Sequence, residues 1–115
     1  MSLNKLSNWQ APPVAAPQLK LLQQLSEASA ISGSEHAVRK IVLKQITPYI
    51  DDIQIDPMGN LLAIKHGSSP SLPRVMLAAH MDEVGMMLTH DDGKGLFRFD
   101  IVGGIDPRQL PGNPV

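Results

Sequence analysis

Apolar residues recur at helical spacing only in the first half of the chain. Leu19, Leu22 and Leu25 stand three apart and Ser32-Gly33 then breaks the run, which predicts a short amphipathic helix starting near Gln18. Val38, Ile41, Val42 and Ile46 form the stripe of a second helix, ended by Thr47-Pro48. Ser32 or Ser34 is its expected N-cap, because Ser32-x-x-Glu35 fits a capping box. From Asp52 the period falls to two. Ile53 and Ile55 alternate with polar neighbours, Asp56-Pro57-Met58-Gly59-Asn60 supplies turn chemistry, and Leu62 and Ile64 resume the alternation, so an antiparallel hairpin is predicted. Gly67-Ser68-Ser69-Pro70-Ser71 closes it with a solvated loop. Residues 75–79 are apolar throughout, the pattern of a strand covered on both faces by helices, which places the chain in the α/β class.

Beyond Gly85, residues 86–90 and 96–102 are strand-like and are joined by Asp91-Asp92-Gly93-Lys94-Gly95, a hairpin signal. No helix is predicted after that point, so the tail reads as the first strands of a separate all-β unit. At the other end, Ala11-Pro12-Pro13-Val14-Ala15-Ala16-Pro17 favours an extended or mobile leader. Three units result: a leader over 1–17, part of an α/β domain over 18–83, and the opening of an all-β domain over 84–115.

Length and charge narrow the choice of partner. A chain of 115 residues fits one small domain, able to bury about 65% of its unfolded surface. Its 10 basic and 11 acidic side chains are interspersed, giving a net charge of −1 and no footprint for nucleic acid or an anionic membrane. With no cysteine, thiolate sites and disulfides are excluded, and any metal must be held by imidazole and carboxylate. No apolar stretch approaches the roughly 20 residues of a bilayer span, and a cytoplasmic location is expected.

The candidate chemistry lies at the end of the apolar run, in Ala79-His80-Met81-Asp82-Glu83-Val84-Gly85. On extended backbone His80 and Asp82 point to the same side, so one can ligate a cation while the other orients it. In open α/β sheets ligands bind beyond the carboxyl ends of strands, where His80 is expected to sit. The competing reading is a solvated strand-to-loop corner. His36, His66 and His90 have no partner at ligand spacing and read as surface residues, while Met76, Met81, Met86 and Met87 read as packing residues.

Four blocks in order, Ile31-Ser32-Gly33-Ser34-Glu35, Asp56-Pro57-Met58-Gly59-Asn60, Ala78-Ala79-His80-Met81-Asp82-Glu83-Val84-Gly85 and Gly103-Gly104-Ile105-Asp106-Pro107-Arg108-Gln109-Leu110-Pro111-Gly112, resemble the N-terminal region of the glutamyl aminopeptidase and cellulase-M-like family, the tetrahedral metallo-aminopeptidases. Ile105 departs from the family pattern, where Trp is common. The resemblance implies part of a zinc-peptidase-like α/β/α sandwich, followed by the first strands of an inserted β-barrel-like oligomerisation domain. It further implies an aminopeptidase with two divalent metal ions, zinc or cobalt, acting on peptide substrates as a homo-oligomer, from dimer to dodecamer. By motif position His80 matches a metal ligand and Asp82 the carboxylate that receives the other imidazole N–H; no role carries over to Glu83. The family's remaining ligands and its general base lie later in the chain. One protein ligand falls short of the three a catalytic zinc needs, so the 115 residues alone are expected to be inactive and to hold no metal stably. The alternatives are a non-catalytic assembly or binding module derived from that family, and a related dinuclear deacylase or carboxypeptidase, against which the Glu83-Val84-Gly85 continuation argues.

Overall fold

The computed structural model describes residues 10–113; most of the expected leader lies outside them. Helix α1 spans Ala16–Glu27, so its first turn takes up the end of that segment. Pro17 sits in the first turn, where a missing N–H costs nothing, and the amides of Gln18 and Leu19 both donate to the Ala15 carbonyl at 3.1 Å. Helix α2 spans His36–Ile46. Its N-cap is Glu35 rather than a serine, and the capping box does not form. The Glu35 carboxylate instead accepts from the Gly33 amide at 2.5 Å, one residue beyond the turn closed by Ser34 N–H on the Ile31 carbonyl. At the far end Thr47 Oγ1 donates to the Leu43 carbonyl at 2.7 Å, and Pro48 forces a single 3₁₀ turn over Thr47–Tyr49.

Strands β1 (Asp52–Ile55) and β2 (Leu61–Ile64) form the predicted antiparallel hairpin, but Ile53 lies opposite Ala63 and Ile55 opposite Leu61, so Leu62 and Ile64, opposite Gln54 and Asp52, face the other side and the two alternations do not build one apolar face. Their loop is built by Asp56, whose Oδ1 accepts from the amides of Met58 and Asn60 at 2.9 Å and whose Oδ2 accepts from Asn60 Nδ2 at 2.8 Å. Gly59 closes the loop at φ +86°, a conformation that glycine adopts without a Cβ penalty. Its carbonyl accepts from Arg39 Nη1 at 2.7 Å, and this contact fixes the hairpin against α2.

The largest departure from the sequence pattern concerns residues 75–79. They form no strand, and Val75, Met76 and Leu77 are 82%, 87% and 94% exposed. A strand is defined by its neighbours, and among the described residues neither a pairing strand nor a covering helix meets this run. The chain regains order at Glu83, which makes a parallel bridge to Ile31, and then enters β3 (Gly85–Asp91) and β4 (Phe97–Val102), the second predicted hairpin. Met86 lies opposite Ile101 and Leu88 opposite Phe99, giving one apolar face, and the register shifts by a bulge between Leu88 and His90. A 3₁₀ turn over Pro107–Gln109 follows, capped by Asp106, which accepts from the Arg108 amide at 3.0 Å.

Among the described residues no sheet exceeds two strands, and Ala30 and Val38 are the buried hydrophobic residues. The radius of gyration is 20.2 Å, against roughly 13 Å for a compact chain of this size. The helices and strands of the α/β class are therefore present, but without the continuous layered sheet that the apolar run predicts. No helix among the described residues is long and apolar enough to cross a membrane.

Candidate functional site

The end of α1, α2, the β1–β2 loop and residues 79–83 surround an open cleft of about 630 Å³. Its floor is apolar, with Leu25, Val38 and Val42 projecting from the two helices. Its chemistry comes from one side, where His80 and Asp82 line it. The sequence motif thus lies at the rim of a concavity, beside the Asp56 loop.

His80 Nδ1 lies 2.8 Å from the Asp82 main-chain carbonyl oxygen and 3.3 Å from Asp82 Oδ1. Both partners are acceptors, so in the neutral imidazole the proton belongs on Nδ1 and the lone pair on Nε2. The His80 side chain is 85% exposed, and among the described residues Nε2 has no hydrogen-bond partner. A metal-binding imidazole has this form, one nitrogen held by an oxygen and the other free to coordinate. The residues present therefore fit one corner of a metal site. They do not complete it, since no group of three or more His, Asp or Glu among the described residues is placed to hold an ion.

The two glutamates at the cleft are already engaged. Glu35 Oε1 accepts from Gly33, and Glu83 Oε1 accepts from the amide of Ala30 at 3.3 Å. Glu83 also donates its own amide to the Ala30 carbonyl at 2.8 Å, a reciprocal pair that spacing arguments do not reveal because the partner is 53 residues away. Close behind, the Ile31 Cγ2 methyl is seated on Gly85 where a Cβ would be, so only glycine fits there. At the rim, the side-chain N–H of Asn60, then its amide, hold the Asp56 carboxyl below its ordinary 3.8. His66 lies away from the cleft; its Nε2 is 2.8 Å from Asp52 Oδ2, an exposed pairing across the open end of the first hairpin.

The chain is similar to known proteins. The family model of the M42 glutamyl aminopeptidases matches residues 59–115. A putative aminopeptidase of Acetivibrio thermocellus is 40% identical over 85 residues, covering 74% of this chain and 25% of its own. The putative aminopeptidase FrvX of Escherichia coli (strain K12) is 44% identical over 86 residues, 75% of this chain and 23% of its own. Lysyl aminopeptidase of Pyrococcus furiosus is 37% identical over 92 residues, 79% of this chain and 26% of its own. Among solved structures, the TET aminopeptidase from the marine sediment archaeon Thaumarchaeota archaeon SCGC AB-539-E09 superposes with a TM-score of 0.66 at 32% identity, covering 75% of this chain and 23% of that one. The chain spans about a quarter of the length of the curated relatives it matches. With the family model matched over residues 59–115, relatives 37–44% identical over about three quarters of the chain, and the fold shared with a solved aminopeptidase, the chain belongs to the M42 glutamyl aminopeptidase family, to whose N-terminal part it corresponds.

Proposed function

We propose that these residues contribute one corner of the active site of a metal-dependent aminopeptidase that removes N-terminal residues from peptides. The observation that carries the reading is the His80–Asp82 geometry at the cleft: Nδ1 is held at 2.8 Å and Nε2 is left free. His80 is the metal ligand and Asp82 the residue that fixes its tautomer and orientation. Two bound divalent ions, zinc or cobalt, would supply Lewis-acid polarisation of the scissile carbonyl and an activated water. The chain's own part is to present the Nε2 lone pair, to hold the imidazole proton on Nδ1, and to line the floor of the cleft with apolar side chains. One imidazole falls short of the three protein ligands that hold a catalytic zinc, so the 115 residues by themselves neither bind metal stably nor hydrolyse peptides.

On this reading residues 18–83 are part of a zinc-peptidase-like α/β/α sandwich and 84–115 open an inserted β-barrel-like domain that serves homo-oligomerisation. The apolar face of Met86, Leu88, Phe99 and Ile101 supports the second assignment, because a lone hairpin with such a face is marginal in water.

The test is to purify the native gene product from its own cells and incubate it with peptides bearing acidic, apolar or basic N-terminal residues. Release of the first residue, abolished by a chelator and by His80→Ala, is the expected result. No release, or release that survives both treatments, overturns the reading.

A further inference from the structure

We propose that Glu83 is a positioning residue for His80, acting through the peptide group that it shares with Asp82. The Asp82 carbonyl, which receives His80 Nδ1–H, and the Glu83 amide, which donates to the Ala30 carbonyl, belong to one planar peptide unit. Fixing the amide end of that plane at 2.8 Å on Ala30 therefore fixes the direction of its carbonyl end, 2.8 Å from the imidazole. The Glu83 carboxylate makes the arrangement reciprocal by accepting from the Ala30 amide at 3.3 Å. Ala30 is 2% exposed, so its amide has no water to turn to and depends on that carboxylate oxygen.

Among the described residues few other contacts steady the corner. His80 is 85% exposed and bonds to Asp82, and the run before it, residues 75–79, is unpaired. After it the nearest anchors are Glu83 on Ala30 and Gly85 under the Ile31 methyl. The loop between α1 and α2 thus sets the tautomer of an imidazole 50 positions further along the sequence, with Glu83 as the link. The inference rests on the aminopeptidase reading only in naming Nε2 as the atom that matters.

The experiment is to label the histidine rings with 15N and read the His80 tautomer by NMR at about pH 8. The native chain should show the Nδ1–H form. Glu83→Gln keeps an acceptor oxygen within reach of Ala30 and should retain it. Glu83→Ala removes the acceptor and Glu83→Asp withdraws it by one methylene; in each the ratio of Nδ1–H to Nε2–H should fall about fivefold, the worth of one net hydrogen bond. The β1–β2 cross-strand contacts, remote from Glu83, serve as the folding control, and Glu83→Asp keeps the test open should the alanine variant lose them. Retention of the native tautomer in both Glu83→Ala and Glu83→Asp overturns the proposal, as does its loss in Glu83→Gln. These spectra are recorded without metal, so they stand apart from the aminopeptidase reading, which fails on the peptide-release assay of the native product, its chelator treatment and His80→Ala.

Discussion

Gly103 offers the sharpest test of how the second hairpin is joined to the rest of the chain. It has φ +89°, and a Cβ built there would lie 2.7 Å from Val84 Cγ1 and 3.3 Å from Val84 Cα. Val84 and Gly103 are the residues just outside the first pair of the hairpin, Gly85 with Val102, so the two connecting strands press on each other at this point. Gly103→Ala meets two penalties. Placing a side chain in the left-handed region costs roughly 1–2 kcal/mol. Forcing a methyl into an occupied site costs roughly 1–3 kcal/mol more. Together, about 2–5 kcal/mol corresponds to an opening equilibrium shifted by about 30- to 5,000-fold, at 1.36 kcal/mol per factor of ten.

The two terms are separable. Val84→Ala removes Cγ1, the closer obstacle, without altering φ at position 103. In the double variant the steric part should be relieved and the backbone part should remain, leaving about 1–2 kcal/mol. The assay is amide hydrogen exchange along β3 and β4, compared among the native chain, both single variants and the double variant. Gly103→Ala should lose protection throughout the hairpin while the β1–β2 amides keep theirs, and the double variant should regain part of it. Native protection in Gly103→Ala would refute the contact. A double variant more weakened than the two singles added together would refute the assignment of the steric term to Val84.

Three further outcomes are expected. Arg39→Met should remove the 2.7 Å bond to the Gly59 carbonyl and destabilise the docking of the first hairpin on α2 by about 1.5 kcal/mol, read as lost amide protection at residues 56–60 with the α2 amides unchanged. Val38→Ala, at one of the two buried hydrophobic positions, should cost about 1.5–2 kcal/mol, seen as a lower denaturant midpoint for the helical signal. The carboxyls of Asp56 and Asp92 are held below their ordinary 3.8, by Asn60 and by the amides of Lys94 and Leu96 respectively, so the stabilisation they give both loops is present above 3.8 and is lost as pH falls through the lower folded values; amide shifts at Asn60 and Leu96 followed down a pH series should have their midpoints below 3.8, and Asp56→Asn should abolish the step at Asn60.

The parts of this structure legible in the sequence are those decided locally. The stripes of α1 and α2, the alternation of Ile53 and Ile55, and the Asp56 and Asp91–Asp92 turns each draw their hydrogen bonds from residues within a few positions, so composition and period suffice. The serine cap failed for a local reason as well: Glu35 spends its carboxylate on Gly33 and its own backbone enters the helix first. The apolar run at 75–79 marks the opposite limit. Its composition reports two faces to be covered, yet strand geometry needs partners, and the run stays unpaired where none meets it.

The candidate site divides along the same line. His80 and Asp82 were legible because their relation is two residues long and survives any packing of the remainder. Glu83 was not, since its partner is Ala30, an apolar residue of no apparent chemistry that offers only its peptide groups. A motif read by side-chain type records the groups that meet a ligand and passes over those that hold the backbone still. In Asp82-Glu83-Val84-Gly85 the acid at position 83 and the missing side chain at position 85 both serve contacts to residues 30 and 31, one by hydrogen bonding and one by making room. The Glu-Val-Gly continuation that separates this motif from a bare His-x-Asp is therefore the sequence trace of a docking contact, and the corner it steadies is the one that carries His80.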